Sequence, residues 1–220
     1  MNRVAKSGIT FAVLLVLLIV YLRSGVQDEA SLARLREIGA NPYSAIIIIA
    51  AMTAAWLYAL PASIFFFVTP LLFPPVQTTV IICVGSLTGS TAGYWAARFV
   101  GGPWFEKFRD HRITLFLKRH SSFASLFAIR VFPSSPHGFI NYGAGLLQIS
   151  LFKFLLATLL GVGIKAYLYA NAIEGSVGAK SIMDVLNWQT VSALSALGFL
   201  AIIGHIVRQR WKRMDEKLEA

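Results

Sequence analysis

The sequence predicts an all-α membrane protein whose transmembrane helices carry two opposed re-entrant hairpins in an inverted repeat. Three observations predict it. Of 220 residues, 56% are hydrophobic and 14% charged, where a soluble domain carries about a quarter charged. The apolar residues gather into runs near the length a helix needs to cross a bilayer. Two of those runs are broken by Pro and Gly at related places.

Residues 7–22 form the first apolar run, flanked by Arg3, Lys6 and Arg23, which snorkel at its ends. Tyr21-Leu22-Arg23-Ser24-Gly25 offers no small-x-small cleavage site, so the run reads as an uncleaved span rather than a secretory signal. Residues 24–42 are polar and close on the turn dipeptide Asn41-Pro42. Residues 43–60 are apolar; whether they cross fully is left open. Pro61, Pro70, Pro74 and Pro75 then forbid one continuous helix. The stretch between them, Ile64-Phe65-Phe66-Phe67-Val68, is too apolar for a loop in water. Broken backbone at membrane depth is tolerated where protein buries it or a wet cavity borders it, hence a re-entrant hairpin.

Residues 77–100 form the next span, in which Gly85, Ser86, Gly89, Ser90 and Gly93 allow close helix contact. Residues 103–120 begin with Pro103, suited to a first helical position. Trp104, Phe105, Phe108 and Leu115 recur at near-helical spacing, with Lys107, Arg109, Arg112, Lys118 and Arg119 between them. This is the pattern of a basic amphipathic helix on a membrane surface, with a solvated connector as the alternative. Residues 121–149 are broken again, by Pro133, Pro136, Gly138, Gly143 and Gly145. A span at 150–172, a polar link, a last span at 188–207 and a basic tail complete the chain. Trp56, Trp95, Trp104, Trp188 and Trp211 fall near span ends, as an aromatic belt requires.

The formal net charge is +10. The cations sit beside apolar runs, which suits anionic lipid; no basic stripe suited to nucleic acid is present. Lys and Arg concentrate at the N-terminus, in 98–120 and in the tail, so both termini and the amphipathic segment are expected in the cytoplasm. That assignment closes if each Pro-rich stretch returns to the side it came from. The broken regions also align at an offset of 75 residues: Pro61 with Pro136, Leu71-Leu72 with Leu146-Leu147, Tyr94 with Tyr169. Inverted repeats of this kind place substrate near the midplane. Cys83, the one cysteine, lies in an apolar run and reads as a packing residue.

Arg130 is the sharpest candidate for chemistry. Its neighbours are Phe127-Ala128-Ile129 and Val131-Phe132-Pro133, and an Arg at mid-membrane costs roughly 2.5–3.5 kcal/mol. No Asp or Glu occurs between Glu37 and Glu106, or between Asp110 and Glu174. A phosphate would suit its planar, always-charged fork, helped by the start of a half-helix after Pro136. The alternative is a guanidinium snorkelling at the cytoplasmic interface. Lys165 lies mid-span and should face a polar cavity or an anion; Lys153, near a span end, reads as an anchor. His137 either titrates near neutrality or is structural. Asn141 and Tyr142 either bind a headgroup or tie down hairpin backbone. No catalytic constellation, metal-ligand spacing or cofactor loop is present in the sequence pattern, so an enzyme, a metal site and a cofactor are not expected.

Arg130-x-x-Pro133-x-x-Pro136, then Asn141-Tyr142-Gly143-Ala144-Gly145 and Gly161, resembles the VTT-domain, SNARE-associated or DedA superfamily. Upstream, Pro61, the Pro-rich hairpin and Gly85-x-x-x-Gly89-x-x-x-Gly93-Tyr94-x-x-x-Arg98 are similar to that family's first half. The resemblance covers roughly residues 45–175. It implies two opposed re-entrant hairpins in a bacterial inner (plasma) membrane, and movement of phospholipids or polyprenyl phosphates between leaflets by flipping or scrambling. Some bacterial members are tied to proton motive force. The acidic residues of the DedA branch near the first hairpin are missing here, where Tyr58-Ala59-Leu60-Pro61 stands, and Lys165 stands where a Pro is often found.

Three parts follow: residues 1–42, an N-terminal span and polar link; 43–175, a VTT-like core with both hairpins and the amphipathic helix; 176–220, the last span and cytoplasmic tail. The leading expectation is a lipid transporter for anionic phosphate headgroups, with a homo-oligomer as an open possibility. Arg130 would attract the phosphate, with His137, Asn141, Tyr142 and Lys165 nearby. Pro61, Pro133, Pro136, Gly143 and Gly145 would keep the backbone open. A small-ion or solute transporter and a membrane scaffold are the alternatives.

Overall fold

A computed structural model describes residues 29–60, 62–100, 112–132, 135–176, 182–200 and 202–203. The expected first span at 7–22, the basic tail, Pro61, Pro133 and residues 101–111 lie outside the described residues. All regular structure among those described is helical.

Helix α1, Glu29–Ala40, meets α2, Pro42–Leu57, at a bend of 86°. Asn41 makes the corner: its side chain accepts from the Tyr43 N–H at 2.9 Å, and Pro42 takes the first helical position. α2 has 16 residues, a rise of about 24 Å, less than the roughly 30 Å of a hydrocarbon core. The chain then breaks. Ala59 adopts φ 55°, and Leu60 N–H closes back on the Ala55 carbonyl at 2.8 Å. A 3-10 turn, Ala62–Ile64, leads into α3, Phe65–Leu72.

Helix α4 runs Pro75–Trp95 and continues as a π-helical turn over Ala96–Val100. It starts two residues before the expected position because Pro75 occupies its first turn. Next come α5, Arg112–Arg119, and α6, Phe123–Val131, the latter capped by Ser122 through the Ser125 N–H at 3.2 Å. After a break follow α7, His137–Leu146, and α8, Leu151–Glu174. A short α9, Ile182–Val185, precedes a helix over 188–200, the described part of the expected last span. Pro75–Phe99, with 25 residues, and α8, with 24, are long and apolar enough to cross a membrane; the bent α1–α2 pair would make a third span if counted as one.

Contacts fix the directions. A methyl added at Gly85 would lie 2.9 Å from the Met52 sulfur, and one at Gly89 2.7 Å from the Trp56 Cβ. Four residues on α2 therefore keep pace with four on α4, and the two helices run the same way. α3 carries the chain back to the start of α4. Leu126 packs with Phe154 and Ala157, and a methyl at Gly161 would lie 2.6 Å from the Arg130 Cβ. α6 and α8 thus run together while α7 returns. α4 and α8 are opposed, since the Tyr94 hydroxyl donates to the Ile149 carbonyl at 2.7 Å while Cys83 faces the Leu159 carbonyl.

Each short return arm lies against the other half's long helix. The α3 residues Phe66 and Phe67 meet Tyr169 of α8 edge-on, at 5.8 and 5.3 Å. On α7, Gly145 sits on the Tyr94 backbone carbonyl of α4, closer than any side chain allows.

One expectation is corrected. Trp56 is not part of an interfacial belt: it is 1% exposed, because the bare surface of Gly89 lets α2 close on α4. In α5 Thr114 and Leu117 are buried, and Leu115 is 47% exposed. Gly143 on α7 leaves the groove that Thr114 and Leu117 fill. Trp95 remains at the end of α4, stacked on Phe99 at 4.7 Å with Arg98 over its ring.

Candidate functional site

The tips of the two broken regions meet. The last turn of α2 brings Trp56, the start of α3 brings Phe66, the end of α6 brings Arg130 and the start of α7 brings His137. Gly161, against which Arg130 packs, lies ten residues into α8. That is about 15 Å of helix, half the thickness of a hydrocarbon core.

Arg130 is 1% exposed. Its guanidinium turns inward, so the snorkelling alternative is set aside. One terminal nitrogen, Nη1, lies 3.0 Å from His137 Nδ1. The other donates to Asn141 Oδ1 at 2.5 Å and reaches Ser90 Oγ at 3.4 Å. The cation also stands over the faces of Trp56 and Phe154, 5.4 and 5.0 Å from their centres, contacts worth roughly 0.5–2 kcal/mol each.

His137 joins this cation to a second one. Its Nε2 is 3.2 Å from the Lys165 ammonium nitrogen. Lys165 is 1% exposed and stands 4.8 Å over the Phe66 ring. The imidazole is clamped by stacking: Trp56 lies 4.5 Å away at 12°, and Phe66 6.4 Å away at 11°. Among the described residues neither Arg130 nor Lys165 has an ion-pair partner, whereas Arg36 pairs with Glu174 at the far end of α8.

The polar inventory is lopsided. Arg130 Nε, Asn141 Nδ2 and Trp56 Nε1 are buried donors without a hydrogen-bond partner, and the Ser86 hydroxyl, one turn before Ser90, is also unpartnered. An unmet buried polar group costs about 1–3 kcal/mol. A neutral imidazole supplies one acceptor lone pair, yet two cationic groups flank it. The arrangement can therefore accept an anion with several oxygens, which would satisfy many donors at once.

The structure gathers four of the residues picked from the sequence: Arg130, His137, Asn141 and Lys165. It separates others. Tyr142 donates its hydroxyl to the Leu57 carbonyl and so anchors the end of α2. Gly143 and Gly145 face α5 and α4 as packing surfaces. Pro136 is exposed, just ahead of α7. Sequence reasoning missed Trp56, Ser90 and Phe66 as site residues. Ser90 belongs to the small-residue stripe of α4, and Trp56 lies five residues before Pro61; neither position signals a ligand until the two halves are docked.

The VTT domain model matches residues 60–175, more than half of the chain. The chain is 24% identical over 159 residues to an uncharacterised membrane protein of Arabidopsis thaliana, covering 70% of this chain and 55% of that protein. It is 25% identical over 168 residues to transmembrane protein 41B of Danio rerio, covering 74% and 58%. It is 24% identical over 165 residues to human transmembrane protein 41B, covering 72% and 57%. The chain thus spans about half the length of the curated relatives it matches. No solved structure matches it. The shared region runs from the first break through the end of α8 and contains the buried cation cluster, and the chain belongs to the VTT-domain family of integral membrane proteins.

Proposed function

We propose that this protein moves phosphate-bearing lipids between the two leaflets, as a flippase or scramblase and not as an enzyme. One observation carries the reading: Arg130 and Lys165 are buried together among unpartnered donors, with no carboxylate among the described residues to neutralise them. Mid-membrane cations persist where they serve a pathway or a ligand. A phosphate headgroup supplies the missing charge and the missing acceptors while its tails stay in hydrocarbon.

In this reading the α2–α3 and α6–α7 segments are re-entrant hairpins of an inverted repeat, opening to opposite sides. The opposed directions of α4 and α8 and the exchange of return arms support it. The membrane is the bacterial inner membrane. Both termini face the cytoplasm, in line with the basic residues at 98–120 and in the tail. Arg130 and Asn141 grip the phosphate, His137 holds Arg130 and Lys165 in register, and Trp56 and Phe66 keep the imidazole flat between them.

The test is leaflet exchange of a fluorescent phospholipid in vesicles holding the full chain. Arg130→Ala should slow exchange at least ten-fold. Equal rates would remove Arg130 from the pathway, and uptake of a dissolved anion without lipid exchange would replace the lipid reading with a solute one.

A further inference from the structure

We propose that the cleft between α3 and α8 is the lateral doorway through which a lipid's phosphate headgroup reaches the site, with Lys165 as the first cation it meets; this rests on the lipid-transport reading above. The cleft holds a cavity of about 10 Å³ lined by Ser63, Phe66, Phe67, His137, Lys165 and Tyr169. His137 and Lys165 are its buried floor, and Ser63 and Phe67 are its exposed rim.

The position of the rim decides what it faces. Lys165 lies nine residues before the end of α8, roughly 14 Å along the helix, well inside hydrocarbon. The α3 side of the rim presents large exposed apolar side chains, Ile64, Phe67 and Val68. A surface of that kind at that depth meets acyl chains. A dissolved ion would have to cross hydrocarbon to reach it. A lipid arrives with its tails already there and needs to turn only its headgroup inward. The occupant is therefore a lipid with a phosphate headgroup.

The cavity as it stands has room for about one water, so the walls must part. The barrier is the edge-on contact of Phe66 and Phe67 with Tyr169. α3 is suited to move: it has eight residues, bounded by the break near Leu60 on one side and by Phe73-Pro74 on the other. A swing of this short helix separates the aromatic pairs and exposes Lys165 and His137 without disturbing the α4–α8 contact.

The experiment uses the reconstituted full chain. Ser63→Trp places bulk at the rim without touching Arg130. It should slow lipid exchange at least ten-fold while thermal unfolding in detergent stays at the wild-type midpoint. A benzophenone amino acid at Phe67 should capture a phospholipid on illumination several-fold more than one at Val80, which is exposed on α4, and excess inorganic phosphate should not compete. Lys165→Met should reduce capture at Phe67. Wild-type exchange in Ser63→Trp, or equal capture at Phe67 and Val80, overturns the doorway and leaves the transport reading standing. Competition by inorganic phosphate overturns the lipid as occupant. If the wild-type chain exchanges no lipid, the transport reading falls, and capture at Phe67 still decides whether the cleft takes a headgroup.

Discussion

Arg130 carries a formal charge into the protein interior and finds only neutral partners there. Asn141 is the informative neighbour, because Asp differs from it by one atom. Asn141→Asp would set a carboxylate where the amide oxygen now accepts from the guanidinium at 2.5 Å, and charge-assisted pairs are roughly twice as strong as neutral ones. The folded protein should unfold at or above the wild-type temperature in a detergent melt. Lipid exchange should nevertheless fall about ten-fold, since the internal carboxylate takes the place of the ligand. Lower stability with unchanged exchange would mean that the site does not bind an anion. At this scale the sequence identified Arg130 and Lys165, since any charge inside an apolar run needs an explanation. It was silent on Trp56, which looks like any other aromatic residue near a span end.

At the scale of elements, helix approach is governed by glycines whose missing side chains are filled by a neighbour. Gly145 presses on the Tyr94 backbone carbonyl, which cannot move aside as a flexible side chain can. Gly145→Ala should destabilise the protein by about 1–3 kcal/mol, in line with overpacking elsewhere. Gly198, in the last helix, has nothing within 4 Å of its missing side chain. Gly198→Ala should be neutral or stabilising by up to about 1 kcal/mol through helix propensity. Denaturation of both variants in the same detergent checks the contrast; equal effects would mean that the α4–α7 contact is not tight. The Gly85, Gly89 and Gly93 spacing was readable as a contact stripe. Its partners were not: it meets Met52 and Trp56 of α2 and then Asn141 of α7, so one stripe serves both halves.

For the whole molecule, the question is which segments cross. Single cysteines at Ser121, Ser150 and Met183, in a Cys83→Ala background, report it through a membrane-impermeant maleimide; Ser121 and Ser150 are exposed, and Met183 is 78% exposed. Ser121 and Ser150 should label from one side and Met183 from the other. Labelling of Ser121 and Ser150 from opposite sides would make α6 and α7 together a crossing segment and end the re-entrant reading.

The sequence by itself determined that the chain is helical and membrane-embedded, and where its helices break. Those properties come from local composition, from the fixed φ of proline and from the cost of charge in hydrocarbon, all of which act within a few residues. Only the tertiary structure decided that the breaks meet. Ser90, Arg130, His137, Asn141 and Lys165 come from four helices, and their convergence depends on α4 and α8 packing in opposed directions with each return arm on the opposite half. That exchange is a property of surfaces fitting together, and no short window of sequence contains it.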